Sequence, residues 1–533
     1  MSGPNLKSKA PGVLRSTGIV GGFTLISRVL GLVRDIVIAN VFGVSRATEA
    51  FFVANKIPNM LRRFFAEGAF SQAFVPVANE YREKHGEDPA RELVAGVAGT
   101  LGGFLFVLTL IGVIAAPVLV YIFAPGFAGD DRFDLTAQML RFTFPYLLFI
   151  SLTAMAGGLL NSYGNFSVPA VTPVFLNLVL IAAALWLAPT MAEPGMALAI
   201  AVFVAGIVQL AFQLPFLKRI GMLSWPRWRP AHAGVKKIGT LMLPALFGSS
   251  VAQINIMIDN IIASHLATGS VSWLYYSDRL MEFPLGVFGI ALATVILPRL
   301  SSQHARADSL AFSETIDYAL RLVCLIGIPA AIGLAFLSGP LIVTLFFRGQ
   351  FSLFDAQMAQ LSLIAFSAGL LGFMFVKILA PGYFARQDTK TPVRIALVAL
   401  AVNLVLNLAF VLTFQQAGWS GAHAGLALAT SIAALVNAVL LFLGLRRAGV
   451  LNLSAAWVWL LVRLALACIL MAVLLWFASP SLEAWTAFGT FERVLRLSAL
   501  VISGAVVYLI ALLSLGLRPA MFLAPQHSKS QSE

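Results

Sequence analysis

Charge is scarce in this chain and cysteine almost absent. Of 533 residues only 11% are charged and two are cysteine, where an ordinary soluble domain carries about 25% charged residues. So little charge excludes a chain with a mainly aqueous surface. Cys324 and Cys468 both fall in apolar runs, so they read as reduced packing residues and not as a disulfide framework. Catalytic punctuation is missing too. There is no Walker A lysine, so ATP is not the expected fuel, and no HExxH pair. His85, His232, His265, His304, His423 and His527 are scattered, with no carboxylate at ligand spacing. No acid pair or metal cluster in the larger polar breaks suggests a membrane phosphatase or glycosyltransferase.

What the chain has is apolar length. Hydrophobic residues make up 59% of it, in long runs with short polar breaks, the pattern of an integral membrane protein. A span needs about 20 residues, and on that ruler fourteen runs appear. They lie near 17–43, 50–80, 93–123, 136–160, 168–189, 196–217, 238–266, 272–298, 318–346, 359–382, 392–414, 422–445, 456–478 and 492–516. Pro58 and Pro284 are expected to kink or break the second and eighth, where a neighbour must satisfy the freed carbonyl. Lys7, Lys9 and Arg15 ahead of the first run imitate a signal peptide. That run is too long, is interrupted by arginine and lacks a small-residue cleavage site, so it reads as the first helix.

The formal net charge of +13 would suggest nucleic acid in a soluble protein; its distribution says otherwise. Alternate breaks carry Arg82, Lys84 and Arg91, then Lys218, Arg219, Arg227, Arg229, Lys236 and Lys237. Later ones carry Arg299 and Arg306, Arg386 and Lys390, Arg446 and Arg447, and Arg518. The opposite breaks hold Asp130, Asp131 and Asp134 with Arg132, then Glu193, then almost no charge up to Gly421. Basic residues on one side predict cytoplasmic N- and C-termini. The surplus also gives affinity for anionic lipid heads and implies no nucleic-acid partner.

The chain echoes itself at a spacing near 222. Phe51-Phe52 answers Tyr275-Tyr276 and Pro76 answers Pro298. Phe133-Asp134 with Ala137-Gln138-Met139 answers Phe354 to Met358, and LNLVL at Leu176 answers VNLVL at Val402. The first twelve runs divide six and six. The expected fold is therefore all-α, two six-helix lobes related by a parallel repeat plus two C-terminal helices, with a site between the lobes. The expected divisions are a lobe over 1–217, a basic cytoplasmic linker over 218–237, a second lobe over 238–447, helices thirteen and fourteen over 448–518, and a cytoplasmic tail over 519–533.

Charges inside the runs are unevenly shared. Positions about 222 beyond Arg28 and Arg34 hold Ser250 and Ile256. Each mid-membrane charge costs about 2.5–3.5 kcal/mol on insertion scales, so such arginines pair, snorkel, or face water or an anion. Arg28 and Asp35 share a helix face, but a rise of about 10 Å separates them. Arg63 and Glu67 are spaced to pair, as are Arg279 and Glu282. Arg28, Arg34, Asp35, Lys56, Arg62, Arg63, Glu67, Asp278, Arg279 and Glu282 still sum to +2, which a wet cationic cavity explains better than structural pairing. Guanidinium's planar fork suits pyrophosphate. Asp259, near the end of run seven, is a candidate H⁺ or Na⁺ site, although an interfacial polar residue is the commoner reading there. Lys377 is placed to snorkel.

Four segments carry a resemblance: SRVLGLVRDIVIANVFG from Ser27, ATEAFFVANKIPNMLRRFFAEGAFSQAFVP from Ala47, GSVSWLYYSDRLMEFPLGVFGIALATVILP from Gly269, and RQDTKTPV at Arg386. By these the chain resembles the MurJ (MviN) lipid II flippases of the multidrug/oligosaccharidyl-lipid/polysaccharide exporter superfamily. The resemblance implies fourteen helices in two lobes around a central cavity. It implies transfer of the undecaprenyl-pyrophosphate-linked peptidoglycan precursor from the inner to the outer leaflet of the bacterial cytoplasmic membrane. It also implies cavity arginines at Arg28, Arg34, Arg62 and Arg279, with Glu282 gating or pairing, and a groove for the lipid tail along the last two helices. Asp35, Glu49, Glu67 and Asp278 are further candidates for gating or pairing; Glu49 stands where the family pattern has the shorter Asp. No cofactor is expected, and membrane potential or an ion would supply the drive. Lipid II, membrane lipids and cell-wall synthesis proteins are the expected partners. The rival readings are a cation-coupled drug or oligosaccharide exporter using Asp259, Asp35 or Glu282, a membrane enzyme acting on polyprenyl phosphates, and a non-transporting scaffold.

Overall fold

The computed structural model describes residues 13–63, 69–286, 290–453 and 456–517, and all regular structure among them is helical. Two compact units divide at Ser272/Trp273. The first holds α1 (Val13–Phe42), α2 (Arg46–Arg62), α3 (Ala69–His85), α4 (Glu87–Ile114), α5 (Ala116–Phe123), α6 (Asp131–Thr143), α7 (Tyr146–Ser162), α8 (Ser167–Ala182), α9 (Met196–Arg219) and α10 (Ala233–Ser264). After α11 (Ser270–Pro284), which spans the boundary, the second holds α12 (Ile290–Ala305), α13 (Ser309–Phe336), α14 (Ser338–Phe346), α15 (Leu353–Phe384), α16 (Lys390–Gln416), α17 (His423–Arg447), α18 (Ala456–Ala478), α19 (Leu482–Ala487) and α20 (Thr490–Ser514).

Helix starts are written in the local sequence. Ser45 opens α2 with a capping box closed by Thr48, Ser352 opens α15 the same way with Asp355, and the Asp130 side chain accepts from the Arg132 amide to open α6. The repeat extends to these starts: Glu87 and Ser309, Ala116 and Ser338, and Asp131 and Leu353 each lie 222 residues apart. Each unit also repeats a packing scheme. In the first, α7 and α8 pack on α9; in the second, α15 and α16 pack on α17. Small residues allow the closest approach. A Cβ on Gly369 of α15 would lie 2.6 Å from the Ser431 Cα of α17, and the Ser431 hydroxyl donates to the Ala365 carbonyl at 2.7 Å.

Ten described helical stretches are long and apolar enough to cross a membrane, and they coincide with ten of the fourteen expected runs. The other four runs correspond to α1, to α2 with α3, to α10, and to α11 with α12. These carry most of the candidate site residues. Helical turns continue past Pro284 through Leu285 and Gly286, and α2 continues past Pro58 to Arg62. The carbonyl that Pro58 leaves without its helical donor is that of Ala54, and the Thr143 hydroxyl of α6 donates to it at 2.8 Å.

Candidate functional site

The first unit holds three of the four candidate arginines. Arg28 and Arg34 lie on α1, which packs along α8. Arg34 is 13% exposed and Asp35 2%. The Arg34 Nε and Nη2 donate to Asp35 Oδ1 at 2.9 and 2.7 Å, and Nη1 donates to Asn177 Oδ1 of α8 at 3.0 Å. Asn177 Nδ2 in turn donates to the Ser27 carbonyl at 3.1 Å. The amide thus fastens α8 to α1 and fixes one end of the guanidinium. Arg28 is half-buried and, among the described residues, takes part in no hydrogen bond or ion pair. Arg62 is half-buried at the end of α2. Glu67 lies outside the described residues.

Glu49 is fully buried, and its role is explicit. Its Oε2 accepts from Arg132 Nη1 at 2.8 Å, while Oε1 accepts from the Gly269 and Val271 amides at 2.8 and 3.1 Å. Arg132 also donates from Nε to Asp130 at 2.7 Å and stacks on Phe127 at 4.4 Å. One carboxylate therefore ties α2, α6 and the turn between α10 and α11 together. A buried charge is tolerable only with such complete pairing. The sequence marked Arg132 as one charge of a polar break; in the fold it is 7% exposed.

In the second unit Arg279 on α11 donates to Glu282 at 3.1 Å and lies 5.0 Å from the Tyr275 ring. Both members of the pair are well exposed, 39% and 44%, so it is worth little as a structural bridge and opens at small cost. Asp278, next to Arg279, is half-buried. Trp273 donates to Asp355 at 2.9 Å, joining the start of α11 to that of α15. The Glu49–Arg132 contact joins α2 to α6 at the corresponding place in the first unit. Asp259, back on α10 of the first unit, accepts from Asn255 at 3.2 Å. No metal-binding group of histidine, cysteine or acid residues occurs among the described residues.

Comparison with known proteins bears on the chain as a whole. A family model described as "Lipid II flippase MurJ" matches residues 38–496. A "Probable lipid II flippase MurJ" from Vibrio cholerae is 48% identical over 514 residues, covering 95% of this chain and 97% of the relative. A "Lipid II flippase MurJ" from Burkholderia cenocepacia is 42% identical over 517 residues, covering 96% and 99%. Both relatives span more than the family model, whose match begins after Arg28 and Arg34. Among solved structures, "Lipid II flippase MurJ, inward closed conformation" superposes with a TM-score of 0.76 at 25% identity, covering 92% of this chain and 97% of that one. An inward-facing multidrug resistance MATE family transporter of the MOP superfamily gives a TM-score of 0.67 at 14% identity, covering 81% and 97%, which speaks to the fold alone. With relatives above 40% identity along nearly its full length and a helical fold to match, the chain belongs to the MurJ lipid II flippase family.

Proposed function

We propose that this chain is a lipid II flippase, moving undecaprenyl-pyrophosphate-linked precursor from the inner to the outer leaflet of the bacterial cytoplasmic membrane for wall synthesis. The observation that carries the reading is the full-length likeness to lipid II flippases. The chemistry of α1 supports it: Arg34 is held in place by Asp35 and Asn177, while Arg28 presents a guanidinium that no described carboxylate caps. In this reading Arg28, Arg34, Arg62 and Arg279 receive the pyrophosphate. Glu282 releases Arg279 when substrate arrives, and Asp35, Glu49, Glu67 and Asp278 pair with or gate the basic groups. Two six-helix lobes, over 1–217 and 238–447, alternate access, and the last two helices hold the lipid tail. Both termini face the cytoplasm, as the basic breaks require.

Outward movement of an anion gains about 2.3 kcal/mol per charge per 100 mV of inside-negative potential, so the potential drives the cycle without ATP. Asp259 is the candidate for H⁺ or Na⁺ coupling. The work is transport and involves no covalent step. Rescue of a strain depleted of its own lipid II flippase tests the assignment. The wild-type chain is expected to restore growth and Arg28→Ala, at equal membrane abundance, to fail. Failure of the wild type would contradict the assignment, and growth with Arg28→Ala would remove Arg28 from the site.

A further inference from the structure

The segment between α9 and α10 carries chemistry that transport does not use. Together with the last turn of α9 and the first turn of α10 it holds six lysines and arginines and no acid over 218–237, and it lies as a strap across α4. Arg91 Nε donates to the Gly221 carbonyl at 2.6 Å, the Arg227 amide donates to the Ala95 carbonyl at 2.9 Å, and the Arg229 amide donates to the Thr100 hydroxyl at 3.3 Å. Arg229 also pairs with Glu92. Glycines admit the strap: a Cβ on Gly99 would overlap the Arg227 backbone, and one on Gly103 would come within 2.6 Å of the Trp228 ring.

Held this firmly, the strap still turns its large side chains outward. Trp225 is 87% exposed and Trp228 64%, and Lys218, Arg219 and Arg227 are exposed beside them. Their depth can be read from the helix below. Exposed apolar residues on α4 and α5 begin at Phe104 and recur at Phe106, Leu110, Ile114, Val118, Tyr121 and Ile122. The ten steps from Phe104 to Ile114 rise about 15 Å along α4, and α5 carries the apolar surface on past Ala115, so the band starts at Phe104 and runs away from the strap into the roughly 30 Å of bilayer hydrocarbon. Trp228 packs at Gly103, one residue before that band begins, where tryptophan is enriched at the boundary of hydrocarbon and headgroups.

We propose that the 219–230 strap is an interfacial anchor that binds anionic phospholipid, with Trp225 and Trp228 at the acyl boundary and Arg219 and Arg227 on the lipid phosphates. The site is separate from the pyrophosphate arginines on α1, α2 and α11, and its occupant is bulk lipid. The test uses the full chain in vesicles containing phosphatidylglycerol or phosphatidylcholine with brominated acyl chains. Brominated phosphatidylglycerol is expected to quench a larger share of wild-type tryptophan fluorescence than of the Trp225→Phe/Trp228→Phe variant, which has lost the two boundary tryptophans. Phosphatidylglycerol retained through detergent washing is expected to fall by about fivefold for each arginine removed in Arg219→Gln/Arg227→Gln, with phosphatidylcholine retention and thermal midpoint unchanged. Equal quenching in wild type and the double Phe variant, or equal phosphatidylglycerol retention in wild type and the double Gln variant, overturns the proposal.

Discussion

Arg28 and Arg34 share one helix, about 9 Å apart along its axis, in unlike surroundings. Arg34 is committed to Asp35 and Asn177, so Asn177 acts on it as a positioning residue. Asn177→Ala is expected to slow lipid II translocation by about ten- to a hundredfold, the loss of one hydrogen bond to a charged group, about 1.5–3 kcal/mol. Asn177→Asp, which keeps an acceptor for Nη1, should recover part of the rate. Equal rates in all three proteins would show that Arg34 does not need the amide. Glu49 makes a different prediction, on stability. Glu49→Ala leaves Arg132 Nη1 and the Gly269 and Val271 amides without their buried acceptor, with only Asp130 still paired to Arg132, and is expected to cost about 3–5 kcal/mol, read as a lowered unfolding midpoint in detergent. Adding Arg132→Ala should cost much less than the two single changes summed, and strict additivity would mean the pair is not coupled.

At the scale of elements, Pro58 and Thr143 form one device, in which the hydroxyl of α6 replaces the hydrogen bond that proline removes from α2. Thr143→Val is therefore expected to destabilise by about 1–3 kcal/mol in the wild type and by clearly less in a Pro58→Ala background, where the helix can satisfy its own carbonyl. Equal cost in both backgrounds would dissociate the two. Asp130 adds a pH dependence at the start of α6. The Arg132 amide, helped by its guanidinium, holds this carboxyl below its usual range. A depressed folded pKa stabilises above the unfolded value and is lost as pH falls through the folded one. The unfolding midpoint should accordingly drop below about pH 4, and Asp130→Asn should remove that part of the slope. An identical slope in the variant would assign the acid sensitivity elsewhere.

Across the whole molecule, apolar length and the repeat were legible in the sequence because a bilayer imposes a fixed run length on every crossing helix. Ten of the expected runs return as long apolar helices. The pairing partners were less visible. Arg34 and Asp35 are neighbours in sequence, and consecutive helical residues ordinarily point about 100° apart, so the pattern gave no reason to join them. Glu49 and Arg132 are 83 residues apart, and nothing local distinguishes Arg132 from the solvated charges around it. The Pro58 device was half visible: the proline announces a freed carbonyl, while the hydroxyl that satisfies it comes from another helix.

The central claim is that an uncapped guanidinium on α1 takes the pyrophosphate of a lipid carried across the bilayer. Its most direct measurement is lipid II translocation in vesicles holding the wild type, Arg28→Lys or Arg28→Ala, under an imposed inside-negative potential. The wild type is expected to translocate faster as the potential grows, Arg28→Lys, which keeps the charge but loses the fork, to be slowed, and Arg28→Ala to be inactive with an unchanged unfolding midpoint. Wild-type rates from folded Arg28→Ala would contradict the claim.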